Sequence, residues 1–330
     1  MANRTVFYKN KPVLVGTATI GGPKESIGPI GKCIETLIDD DMFGEQTFEK
    51  AECKMLSHVI SRCIKNSGRK KEDVGAIIAG DLLNQIISAS FACRDFSIPY
   101  IGVYNACSTM SEAYAVGGLL VDGKYMDNVI CATGSHFSTA ERQYRYPLEL
   151  GSTRPPVSQW TVTGAGSGML STKGDGPRLT MATFGRVVDF GVTDANNMGA
   201  AMAPAAADTL MTHFEENKLK PNDYDLIVTG DLGAFGSRIF KDLMWEKGYD
   251  VQKQHVDCGE IIYNINEDEF QGGSGAGCSA VVFNSFIYNK MQKGTLKRVL
   301  FMATGALLST TSTQQGESIP AISHAVVFEV

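Results

Sequence analysis

Ala106-Cys107-Ser108 and Gly277-Cys278-Ser279 stand 171 positions apart, and Ala132-Thr133-Gly134 and Ala303-Thr304-Gly305 stand the same 171 apart. Two separate matches at one offset indicate an internal duplication. A third pair joins Ala76-Ile77-Ile78-Ala79-Gly80-Asp81-Leu82 to Leu226-Ile227-Val228-Thr229-Gly230-Asp231-Leu232 at an offset of 150. The second copy therefore carries 21 further residues before Cys278, and 249–271 is the natural place for them. The halves fall at 1–180 and 181–330. A period this long is not that of a solenoid.

Each half reads as α/β. The apolar runs 74–79, 98–104 and 128–133 have the length of buried strands. Between the last two lies 108–121, apolar, rich in small residues and too long for a strand, which reads as a buried helix. The stretch 51–66 places apolar residues at 55, 56, 59, 60, 63 and 64, one helical face, and Asn66-Ser67-Gly68 ends it. In the second half the sequence predicts helices from Pro204 to Phe214 and over 279–292, with strands at 226–229 and 298–303. Strands alternating with helices imply mostly parallel sheets covered on both faces. No Pro- or Ser-rich linker separates the halves, so they are expected to pack as one body.

Composition narrows the function. Of 330 residues, 43% are hydrophobic, enough for a large core and too many for a disordered chain. Thirty Lys and Arg against 36 Asp and Glu leave a net charge of −6, without the basic face that nucleic-acid binding needs. No run approaches the ~20 apolar residues of a membrane span, and Met1 to Lys9 lack the apolar core of a secretory signal. Eight cysteines without a CxxC pair argue against a zinc ribbon and read as reduced thiols.

Asn105-Ala106-Cys107-Ser108-Thr109-Met110 joins an apolar strand to the buried helix. A thiol at a helix N-terminus feels the positive end of the dipole, which favours its thiolate. The turn reads as a nucleophile or an anion-binding corner; the plainer reading is a small buried cysteine packed beside small residues.

Duplicated α/β halves with a cysteine at a strand-to-helix turn resemble the thiolase fold, shared by thiolases and ketoacyl synthases. The residues that carry the resemblance are Asn105-Ala106-Cys107-Ser108, Gly164-Ala165-Gly166 and Gly273-Ser274-Gly275-Ala276-Gly277-Cys278-Ser279. It implies a five-layered αβαβα architecture with the Cys107 and Cys278 helices in the central layer. Thiolases carry Gly-His-Pro where this chain has Gly273-Ser274-Gly275. Condensing ketoacyl synthases carry a histidine after the strand matching 226–229, where Gly230-Asp231 stands here. Acyl transfer needs partners that hold the thiolate and build an oxyanion hole, so their absence argues against an enzyme. Folds of this kind dimerise through a strand of the first half, which makes 98–105 the candidate for a homodimer contact.

Over its whole length the chain resembles the stage V sporulation protein AD branch of this fold. The carrying segments are Ser135-His136, Thr161-Val162-Thr163-Gly164, Met202 to Thr209, Thr229-Gly230-Asp231-Leu232, Asp257-Cys258-Gly259, Gly272-Gly273-Ser274-Gly275 and Ala303 to Ser309. The resemblance implies a protein that binds dipicolinic acid (pyridine-2,6-dicarboxylate) or its calcium chelate. It would serve uptake into the forespore and release in germination, at the cytoplasmic face of the inner spore membrane, beside membrane-embedded proteins of the same group. No cofactor or metal of its own is implied.

Dipicolinate is a flat dianion that needs hydrogen-bond donors and room for a ring. The helix N-termini at Cys107 and Cys278 are expected to converge and offer backbone N–H groups. Gly272, Gly273 and Gly275 would let a ligand approach the backbone, and Ser108, Ser135 and Ser274 would donate hydroxyls. His136 follows the strand ending at Thr133, on the edge where open sheets bind ligands. Asp231 completes the candidate set, although Asp81 at the matching position suggests that both cap helices. His255 and His324 read as structural, and Arg69-Lys70-Lys71 as an exposed turn. Arg142, Arg145 and Arg154, interleaved with Tyr144, Tyr146 and Trp160, read as a solvated loop, an anion-attracting rim or a subunit contact, the last being favoured. Two other functions stay open: a Cys107-dependent acyltransferase acting on acyl-CoA, and a scaffold for membrane partners with a relic cleft.

Overall fold

The computed structural model describes residues 3–144, 154–265 and 270–330. Ten strands form its frame: β1 (Val13–Gly21), β2 (Ala76–Gly80), β3 (Tyr100–Gly102), β4 (Asn128–Ser135), β5 (Gly164–Ser171), β6 (Arg178–Thr183), β7 (Leu226–Thr229), β8 (His255–Asp257), β9 (Arg298–Ala306) and β10 (Ala321–Glu329). Their order is β3-β2-β4-β5-β1, then β6-β10-β9-β7-β8. Each run pairs two neighbours parallel and two antiparallel at corresponding places. The runs meet at a single register pair, Val13 with Arg178. Short strands at Thr5–Phe7 and Thr36–Leu37 extend β6 and β1.

The helices are α1 (Phe48–Asn66), α2 (Ile87–Arg94), α3 (Thr109–Asp122), α4 (Phe137–Tyr144), α5 (Met198–Asn217), α6 (Gly233–Glu246), α7 (Cys258–Ile262), α8 (Ala276 to Gln292, with a π segment over Phe283–Ile287) and α9 (Thr310–Gln314). α1 and α2 cover the outer face of the first run, packing Met55, Leu56, Val59 and Ile60 on Ile77 and Ile130. α5 and α6 cover the second, with Phe214 and Phe240 on Ile227 and Leu300. α3 and α8 lie between the runs, the central layer expected from their small, apolar composition. Phe283 of α8 stacks on Phe301 of β9 with ring centroids 4.3 Å apart, and Tyr114 of α3 meets Phe328 of β10 at 5.2 Å. On the other side Cys131 of β4 donates to the Ala113 carbonyl at 3.1 Å. Small residues are required here because two helices share the space between two sheets, and side chains there are enclosed on all sides.

Three expectations shift. The sheets are not mostly parallel: in each run the two inner pairings are antiparallel, as in β9 returning beside β10. α5 starts at Met198, six residues before the Pro204 that the sequence suggested as its start, because the Asn197 side chain accepts from Ala200 N–H and caps it. Pro204 then sits inside the helix, buried. The extra residues of the second half lie mostly after β8: Cys107 follows Gly102 by five positions, whereas Cys278 follows Asp257 by twenty-one. That segment contains α7 and the strand Gly273–Ser274, which pairs with Trp160–Thr161. Among the described residues no helix is long and apolar enough to cross a membrane.

Candidate functional site

The Cys107 turn lies where the two halves meet. Ala106 adopts a left-handed φ of 50°, which turns the chain from β3 into α3 and presents Cys107 to a cleft. β9 crosses close behind: a Cβ on Gly305 would lie 2.1 Å from the Asn105 carbonyl oxygen. Only a glycine lets the second half approach the turn so nearly.

Asp231 lies behind the inner side of the cleft, beneath Ser274 and Cys107. It is fully buried. Its Oδ2 accepts from Gly275 N–H at 2.9 Å and from Ser274 Oγ at 3.3 Å, and its Oδ1 accepts from Thr304 Oγ1 at 2.9 Å. The Cys107 thiol hydrogen-bonds to the same carboxyl. Burial pushes this carboxyl above its ordinary range, against the pull of Cys107, Gly275, Thr304 and Ser274. Asp81, at the matching position of the first half, behaves differently. It accepts from Leu83 N–H and Ala89 N–H, both at 2.7 Å, and so caps α2 as expected. In the second half that task falls to Asp257, which accepts from Leu232 N–H at 2.9 Å and Gly233 N–H at 3.0 Å. Asp231 is thereby freed to bond Gly275, Ser274 and Thr304 behind the cleft.

The cleft is narrow and partly open to solvent, with a free volume of about 30 Å³, the scale of a water molecule, so a larger ligand must widen it. Leu82, Met198 and Leu308 give it apolar walls, and Tyr104 and Tyr144 line it with rings. Its polar groups are Thr161, Ser274 and Cys107. Their protons are largely spent inward. Tyr104 and Tyr144 share a hydrogen bond of 3.2 Å, and Tyr144 donates on to the Leu82 carbonyl. Thr161 Oγ1 donates to Glu141 Oε1 at 3.1 Å.

The remaining candidates divide. Cys107, Ser274 and Asp231 come together, and Gly275 joins them through its N–H. Ser135 does not line the cleft: its Oγ donates to the Val162 carbonyl at 2.7 Å and accepts from Gly277 N–H at 3.0 Å. Ser108 is turned into the protein, donating to the Ala303 carbonyl at 3.0 Å. Gly272 and Gly273 pack against Gly259 and Ile262 behind the site. His136 points away, toward α1. Its Nδ1 accepts from Ser138 N–H at 3.1 Å, which assigns the ring proton to Nε2, and Nε2 donates to the Asp41 carbonyl at 3.0 Å. Burial holds its pKa below the usual value, so it is a neutral structural histidine. The helix N-termini converge as expected, but the protein fills the second one itself, with Asp231 on Gly275 N–H and Ser135 on Gly277 N–H. His255 and His324 are structural: His255 Nε2 meets Thr229 Oγ1 at 2.8 Å, and His324 Nδ1 accepts from Gly185 N–H at 3.0 Å.

Of the basic cluster, Arg145 and Tyr146 lie outside the described residues. Arg142 pairs with Glu49 at the surface, at 3.3 Å. Arg154 is internal: it pairs with buried Glu141 at 3.1 Å and lies 5.2 Å from the Trp160 ring. Tyr104, Tyr144, Thr161 and Met198 are cleft residues that sequence reasoning did not assign. Only Thr161 and Tyr144 had a signal, the first in a segment carrying the resemblance and the second in the basic cluster. Among the described residues no group of three or more His, Cys, Asp or Glu side chains is placed to hold a metal.

Two repeated five-stranded runs around a central helix pair, with a cysteine at the α3 turn, define a thiolase-like α/β protein. Solved structures agree in fold. 3-Oxoacyl-[acyl-carrier-protein] synthase III from Aquifex aeolicus VF5 superposes with a TM-score of 0.59 at 12% identity, over 97% of this chain and 100% of that one. A variant of OleA from Xanthomonas campestris gives 0.63 at 14%, over 96% of each chain. The family model for stage V sporulation protein AD (SpoVAD) matches residues 2–329. Stage V sporulation protein AD of Bacillus subtilis (strain 168) is 44% identical over 330 residues, 100% of this chain and 98% of that protein. The chain belongs to the SpoVAD family.

Proposed function

We propose that this protein binds dipicolinic acid, free or as its calcium chelate, without turning it over. It would serve uptake into the forespore and release in germination, beside membrane-embedded partners at the cytoplasmic face of the inner spore membrane. Membership of a family of sporulation proteins supports the setting. The observation that carries the binding reading is Asp231. It stands where the resemblance to ketoacyl synthases expects a histidine, and its carboxyl takes the hydrogen bond of the Cys107 thiol. A histidine can accept that proton and leave an ion pair with the thiolate. A carboxylate facing a thiolate would be two like charges in a dry site, an arrangement that disfavours the thiolate. Ser274, at the place of the thiolase histidine, is likewise tied to Asp231. The cleft stays open, and its Tyr104 and Tyr144 rings with apolar Leu82, Met198 and Leu308 suit a flat aromatic ligand.

Calorimetric titration with dipicolinate, with benzoate as control, tests the reading. Saturable one-to-one heat with dipicolinate alone is expected. The acyltransferase reading predicts instead an acetyl mass on Cys107 after incubation with acetyl-CoA, and that mass would overturn the binding-only account.

A further inference from the structure

We infer that Arg154 is the residue that recognises the second carboxylate of the ligand, and so sets selectivity for a dicarboxylate over a monocarboxylate. The inference rests on the dipicolinate reading and deepens it. A dianion must find donors, and the visible cleft has few to spare. Thr161 gives its proton to Glu141, Ser274 and Cys107 give theirs to Asp231, and Tyr104 is bonded to Tyr144, which donates to Leu82. Facing the ligand, these oxygens present mainly lone pairs. Asp231 adds a carboxyl at the inner end. A ligand carboxylate placed there would be repelled, so its attraction must come from the outer side.

One cation stands one side chain behind the outer wall. Glu141 is 1% exposed and bridges Thr161 of the cleft to Arg154, at 3.1 Å on each side. Arg154 also donates to the Gln159 carbonyl. Its guanidinium carbon lies 5.2 Å from the Trp160 ring centroid and 5.7 Å from that of Phe137, and these two rings stack at 4.0 Å. Lys24 covers the Trp160 ring at 4.1 Å. The stack fixes the plane of the guanidinium beside the strand Trp160–Thr161, and Lys24 with Arg154 outweigh Glu141 in local charge. A guanidinium has five N–H groups in a rigid fork that matches a carboxylate. Turning the fork from Gln159 toward Thr161 would give a ligand carboxylate two charge-assisted hydrogen bonds while Glu141 stays paired. A buried ion pair is costly to maintain for stability alone. Next to a binding cleft it holds a positive charge ready without leaving it unpaired.

The test titrates the full-length protein with dipicolinate and with picolinate (pyridine-2-carboxylate). The wild type should prefer dipicolinate by at least about tenfold, the scale of a charge-assisted hydrogen bond. Arg154→Met should bring the ratio to about 1 by weakening dipicolinate while picolinate stays within about twofold. Because Arg154→Met leaves Glu141 buried without its cation, Arg154→Met/Glu141→Gln is made in parallel and should show the same loss of ratio. Arg154→Lys keeps the charge without the fork and should fall between. A wild-type ratio retained in the folded double variant would overturn the role of Arg154 and leave the binding reading intact. A wild type that binds neither ligand would overturn both.

Discussion

Asp231 and Cys107 form the pair on which the chemistry turns. Replacing Asp231 with Asn removes the negative charge that opposes thiolate formation, so Cys107 should be alkylated by iodoacetamide about tenfold faster at pH 8. Mass spectrometry of the Cys107 peptide, with the partly exposed Cys33 and Cys53 as internal references, measures it. An unchanged rate would mean that the carboxyl does not govern the thiol. Gly277 marks the other residue-scale constraint. A Cβ there would lie 2.4 Å from the Gly164 carbonyl oxygen and 2.7 Å from Ser135 Oγ, and the backbone oxygen cannot yield. Gly277→Ala should cost about 3 kcal/mol in urea unfolding; wild-type stability would show that this joint between the halves is not rigid. The role of Asp231 escapes a sequence reading for a physical reason. Asp81 and Asp231 occupy matching places in the repeat, yet the residue at the end of the neighbouring strand differs. Gly102 offers no side chain, whereas Asp257 caps α6 and frees Asp231.

At the level of elements, long apolar runs were legible and short or tertiary features were not. The strand at 226–229 forms where its apolar residues place it, and β4 extends its predicted run by two residues. β3, with three residues, is shorter than predicted because the chain leaves the sheet to reach the Cys107 turn. Nothing local in Gly273-Ser274 marks a strand, since it forms by pairing with Trp160–Thr161 across the two halves. The same cross-half region holds a buried carboxyl. Glu25 Oε1 accepts from Thr163 N–H at 3.0 Å and from the Tyr263 hydroxyl. Burial, with a smaller contribution from Asp41, pushes Glu25 up to about 7 from 4.5, against its hydrogen bonds. The folded protein therefore holds a proton that the unfolded chain releases near pH 4.5. The stability this group contributes is complete below pH 4.5 and is lost as pH rises through about 7. Asp257, raised to about 7, and Asp81, raised to about 6, act in the same direction. His213, His255 and His324, which burial holds at about 4, 3 and 4, act the other way up to about pH 6.5, so the urea midpoint should fall between pH 6.5 and 8, as measured by circular dichroism, and Glu25→Gln should make the fall shallower. A slope as steep as that of the wild type would show that Glu25 is ionised in the folded state.

For the whole molecule the duplication determines both stability and site. The central cluster draws on β4 and α3 of the first half and on α8, β9 and β10 of the second, so neither half owns the core. Calorimetric unfolding should show one transition whose calorimetric and van't Hoff enthalpies agree. Two resolved transitions would mean that the halves are independent. The repeat was readable because its matched segments are the strand ends and helix starts that the fold cannot vary freely. The cleft wall was not, because Tyr104, Tyr144 and Thr161 come from three separate segments of the first half and Met198 joins them from the second. The site assembled there has a cysteine, a buried carboxyl that accepts its hydrogen bond, aromatic walls and an arginine held behind them. The proposed function is that it holds a ligand without transforming it. Calorimetric titration of the full-length protein with dipicolinate against benzoate tests that claim most directly. Saturable one-to-one binding of dipicolinate, with the ligand recovered unchanged and no heat from benzoate, is the predicted result. No heat and no thermal shift with saturating dipicolinate would contradict it, because a ligand that binds only the native state must stabilise it.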